Sequence, residues 1–131
     1  MRRAAAKVWV DSLAGAWRAG DPAAAAALFA ADARYRSHPF REPVTGRPAI
    51  ADYWQRAAER QHDLDLHLGS PIVDGDRVAV EWWVTLTEAG SRSTSTGTLF
   101  MRFGADGLCT SLREVWMEEA GGRRPYPGWG S

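Results

Sequence analysis

A chain of 131 residues with 16 basic and 16 acidic side chains carries no formal net charge, which excludes the one-signed surface of a nucleic-acid or anionic-membrane binder. The length suits one domain, able to bury roughly two thirds of the surface that its unfolded chain exposes. The single cysteine, Cys109, has no internal partner and fits a reducing, cytoplasmic setting. No apolar run approaches a membrane span. Lys7 and Asp11 interrupt the apolar start, so the N-terminus reads as an amphipathic helix and not as a signal peptide.

In chain order, Trp9, Leu13, Ala16 and Trp17 fall on one stripe of a first helix that ends at Gly20. Asp21-Pro22 restarts the chain as a second helix, because aspartate caps free amides and proline lacks one. Its alanine run predicts a helix over 23–31, anchored by Leu28 and Phe29. Asp32 to Gly46 concentrates the usable chemistry. A short polar and aromatic strand runs there into a proline-anchored loop, with Tyr35, Ser37, His38 and Arg41 close together. Pro48 opens a third helix whose Ile50, Tyr53, Trp54 and Ala57 share a buried face. Leu64, Leu66 and Leu68 then alternate with polar residues as in a half-buried strand. Asp74-Gly75-Asp76 signals a turn, and strands follow over 77–88, 93–103 and 108–118. Residues 1–122 form the predicted domain, and 123–131, rich in Pro and Gly, an extended tail.

Helices followed by a meander of long strands predict an α+β fold, a cone-shaped curved antiparallel sheet packed against three N-terminal helices. Val78, Val80, Trp82 and Val84 alternate with Trp83, so both sheet faces carry large apolar groups. One face is expected to line a pocket and the other to pair with a second copy as a homodimer.

The order of elements, together with FAADARYRSHPFREPVTGRPAIADYW, VDGDRVAVEWW, GTLFMRFGADG and LREVW, resembles the SnoaL-like branch of the nuclear transport factor 2-like superfamily, with its cystatin-like α+β barrel. The resemblance covers nearly the whole chain and implies the fold more strongly than an activity, since isomerases, cyclases, hydrolases, dehydratases and binders share that shape. Against ketosteroid isomerase, His38 stands where the general-base aspartate precedes a proline, and the oxyanion aspartate falls on Leu99. Against limonene epoxide hydrolase, Tyr35 and Ser37 match the water-holding pair, Glu114 the base and Glu81 the acid, while the bridging arginine falls on Ala79. Without that cation, two carboxylates about 4 Å apart repel by roughly 4 kcal/mol at an effective dielectric near 20, so one keeps its proton.

The resemblance thus implies Glu114, Glu81, His38, Tyr35 and Ser37 as the catalytic set, with Trp83, Trp116, Leu99, Leu112, Trp17 and Trp54 around the ligand. Each has a structural alternative: an ion-pair partner for Glu114, an outer-face residue for Glu81, a loop hydrogen bond for His38, core and wall for the tryptophans. No zinc spacing, phosphate loop or dinucleotide fingerprint occurs, so neither metal nor cofactor is implied. Three classes remain open. They are cofactor-independent acid–base chemistry of hydrolase, isomerase or cyclase type on a small apolar substrate, a non-catalytic binder with the same pocket, and a dimeric scaffold.

Overall fold

The computed structural model describes all of residues 1–131. Helix α1 (Arg3–Ala19) and the short α2 (Pro22–Ala26) lead into β1 (Phe29–Arg36), β2 (Val44–Thr45) and α3 (Arg47–Arg60). The chain continues through β3 (His62–Leu68), β4 (Ile72–Asp74), β5 (Arg77–Glu88), β6 (Ser91–Phe103) and β7 (Cys109–Ala120). One curved, unclosed sheet runs in the order β2-β1-β7-β6-β5-β3, with β4 also on β5. No helix is long and apolar enough to cross a membrane.

Two features differ from the sequence-based expectation. The second helix stops at Ala26, not Ala31, because Phe29 is claimed by the sheet. It pairs with Cys109 and is fully buried, with Trp9 edge-on at 5.6 Å and Tyr35 at the same distance. The Leu28 carbonyl accepts from the Cys109 amide and the Trp9 indole, which offsets the lost helical bonds. The sheet is also mixed, since β1 lies parallel to β7 while the other paired strands are antiparallel.

Burial alternates along β5: Val78, Val80, Trp82 and Val84 face the helices, and Ala79, Glu81 and Trp83 the outside. The inner face meets α1 through Trp9, Val10 and Leu13, and α3 through Ile50 and Trp54, in one continuous core. On the outer face the chain end folds back over β5. Trp83 donates to the Arg123 carbonyl at 2.8 Å and meets Tyr126 and Trp129 edge-on at 6.4 and 5.8 Å. The Gly130 amide donates to Glu81, and its carbonyl accepts from the Ser70 amide. A side chain at Gly69 would stand 2.9 Å from the Gly130 backbone, so glycine permits this close approach.

Candidate active site

Between the inner sheet face and the helices lies a cavity of about 500 Å³. Strand β7 brings a carboxyl to it, because the register Val80↔Leu99↔Glu114 aligns these three residues across the inner face. Glu114 is 9% exposed. Burial alone pushes its carboxyl up from 4.5 to about 8, with no neighbouring cation or hydrogen bond to favour the charged form.

The end of β1 and the facing side of α3 bring two phenols to this carboxyl. Tyr35 is buried against Tyr53, ring centroids 4.8 Å apart. Burial first, then the neighbouring Tyr53 and Glu114, raises the Tyr35 hydroxyl well above its ordinary range. Burial and then Glu114 raise Tyr53. Both are therefore neutral hydrogen-bond donors at neutral pH.

Ser37 and His38 lie in the loop just after β1. The Trp116 indole donates to the Ser37 carbonyl at 2.9 Å and so ties this loop to β7. His38 Nδ1 accepts from the Phe40 amide at 3.2 Å. This bond engages Nδ1 with the loop backbone and leaves Nε2 as the other ring nitrogen. Trp17, Trp54, Trp82 and Leu99 supply apolar wall. Arg41, Arg60 and Glu88 add charge, with Arg60 and Glu88 paired at 3.0 Å.

The structure separates the residues expected at the site. Glu81 and Trp83 point out of the opposite face, under the C-terminal tail, because they alternate with the inward Val80, Trp82 and Val84. The facing pair of carboxylates is therefore not formed. Leu112 is buried in the core and does not line the cavity. Glu114, Tyr35, Ser37, His38, Trp116 and Leu99 do converge on the one cavity, together with Trp17 and Trp54. Tyr53 joins them, although its helical spacing marked it only as part of a buried face. Its chemistry depends on α3 packing against β1, which spacing within the helix does not specify.

The SnoaL-like domain family matches residues 10–112. The chain belongs to the SnoaL-like family. This SnoaL-like protein is 35% identical over 115 residues to the Steroid Delta-isomerase of Nocardioides simplex, covering 87% of this chain and 88% of that one. Its fold is similar to a hypothetical protein of Catenulispora acidiphila with a ketosteroid isomerase-like fold, solved with trimethylamine (TM-score 0.74, 24% identity, 82% and 83% of the two chains). It is also similar to SalBIII, an epoxide hydrolase/cyclase-like enzyme of pyran ring formation in salinomycin (TM-score 0.73, 18% identity, 87% and 96% covered).

Proposed function

We propose that this SnoaL-like protein is a cofactor-independent proton-transfer catalyst of isomerase type, acting on a small apolar molecule that carries a carbonyl group. The observation that carries the reading is Glu114, a carboxyl without a counter-charge in an aromatic cavity beside two neutral phenols. A base with a pKa of about 8 is stronger than an ordinary carboxylate, and about one molecule in ten carries it ionised at pH 7. In that form Glu114 takes a proton from the carbon beside the carbonyl. Tyr53, which itself accepts from Tyr35, donates a hydrogen bond to the oxygen as it gains charge. The protonated Glu114 then returns the proton to a conjugated carbon, which shifts the double bond without net oxidation. The likeness to the steroid isomerase supports the same reaction class.

A second reading draws on the same carboxyl in its protonated form, the major one at pH 7, which can donate to an ether or epoxide oxygen in a cyclase or hydrolase direction. The test is a panel of β,γ-unsaturated ketones and small epoxides over a range of pH, with wild type, Glu114→Gln and Tyr53→Phe. Isomerisation whose kcat/KM rises to a plateau above about pH 8 supports the base, and hydrolysis or ring closure that falls through the same pH supports the acid. Glu114→Gln is expected to lose about a hundredfold to ten-thousandfold in kcat. Turnover that survives this change defeats both readings, and binding without turnover throughout makes the protein a binder.

The outer sheet face supports a further part of the proposal, a homodimer. Val115 and Met117 are 52% and 72% exposed on β7, next to Phe100 under the Arg113 guanidinium. Sedimentation at micromolar concentration showing only a 14.4 kDa species refutes it.

A further inference from the structure

Next to the main cavity lies a second one of about 390 Å³, between the end of α1, the start of α2 and the junction of α3 with β3. Trp17, Trp54, Ala57 and Gln61 line both. Trp17 is only half-buried, unlike Trp54. Its indole donates one hydrogen bond to Gln61 Oε1 at 2.9 Å, and its ring meets Trp54 and Trp82 edge-on at 5.4 and 5.7 Å. The indole N–H groups of those two neighbours are buried with no acceptor. Unmet buried donors are destabilising, so an arrangement that brings an oxygen to them is favoured.

Away from the shared wall, Asp21, His62 and Asp63 give the second cavity polar lining of its own. The edge strand is also opened there. Asp63 has a left-handed φ of 52°, and the pairing of β3 with β5 shifts register between His62 and Asp65. Such a bulge bends a strand away from regular pairing and re-aims its side chains.

We propose that this second cavity is a ligand subsite, joined to the main cavity when Trp17 turns aside, and that the protein takes an elongated apolar molecule whose far end carries a hydroxyl group. A short ligand fills the main cavity and leaves the Trp17–Gln61 bond intact. A long one replaces Trp17 in the shared wall and places its hydroxyl among Asp21, His62 and Asp63. An oxygen along its chain is met by the Trp54 and Trp82 indoles. The inference rests on the main cavity being the ligand site proposed above. It is read by binding alone, so a failure of the proton-transfer mechanism is seen separately.

The test uses straight-chain methyl ketones of increasing length, plain, with a terminal hydroxyl, or with one ether oxygen in mid-chain, added to the wild-type protein. Calorimetry gives affinity, and the indole N–H resonances give the state of each tryptophan, with Trp17→Phe assigning its own signal. Affinity is expected to climb about fourfold per methylene beyond the length that fills the main cavity. From that length onward the Trp17 signal leaves its hydrogen-bonded position, and the terminal hydroxyl improves only the long members. The ether oxygen shifts the Trp54 and Trp82 signals in those same members. Gln61→Leu, which removes the acceptor at a helix end, raises the ratio of long-chain to short-chain affinity several-fold. A plateau at the same length in wild type and Gln61→Leu, or a Trp17 signal that never moves, overturns the proposal. Absence of binding by any ketone overturns it together with the ligand site itself.

Discussion

Replacing Glu114 by glutamine is expected to stabilise the protein at alkaline pH while it removes the proton-transfer group. The folded-state carboxyl titrates near 8 against an ordinary value of 4.5. Between these values the native state holds a proton that the unfolded chain has released, so stability falls as pH rises, by about 1.4 kcal/mol per pH unit. The contribution is intact below the unfolded value and is lost through the folded one. Across the window the loss is on the order of 5 kcal/mol. Glutamine has the shape of the protonated acid and no such dependence. For a chain of this size about 1 kcal/mol moves the melting temperature by roughly 4 °C, so the two proteins, similar near pH 4, are expected to differ by roughly 10 to 20 °C at pH 9. Calorimetric melting of both across this range reads the difference directly, because titrations common to the two cancel. Parallel curves from pH 4 to pH 9 refute the reasoning, since they mean that Glu114 meets water or a cation when folded.

Deleting the residues after Gly122 removes the Trp83 contacts with Tyr126 and Trp129 and the Gly130 bond to Glu81. The expected cost is about 2 to 4 kcal/mol, seen as a lower melting temperature, and an unchanged melt contradicts it. Gly97→Ala places a methyl group 2.2 Å from the Val115 carbonyl oxygen and 2.8 Å from Trp116 Cβ. Because backbone on β7 cannot yield as a flexible side chain does, a loss of about 3 kcal/mol, the upper end for overpacking, is expected in denaturant unfolding. A variant as stable as wild type shows that β6 and β7 can separate there.

Local rules in the sequence determined much of this fold. Proline and aspartate at 21–22, the period of α1 and α3, and the glycine turns between β5, β6 and β7 all act over a few residues, and the elements stand close to where those rules put them. Alternation also determined which residues share a face within one strand: Glu81 with Trp83, Glu114 with Leu112 and Trp116. Which face turns inward is another matter. It follows from the register of β5, β6 and β7, which joins Glu114 through Leu99 to Val80 and leaves Glu81 opposite, under the tail. The helix expected through Phe29 failed for a similar reason, since burial between Trp9 and Tyr35 and pairing with Cys109 outweigh alanine's small helical preference. Tyr53 gains its chemical neighbours only where α3 packs against β1. Period and capping are local energies written into adjacent residues, whereas the shared surroundings of Glu114, Tyr35 and Tyr53 arise from contacts between segments far apart in the chain. Only the closed tertiary structure removes the water that would otherwise keep Glu114 an ordinary acid.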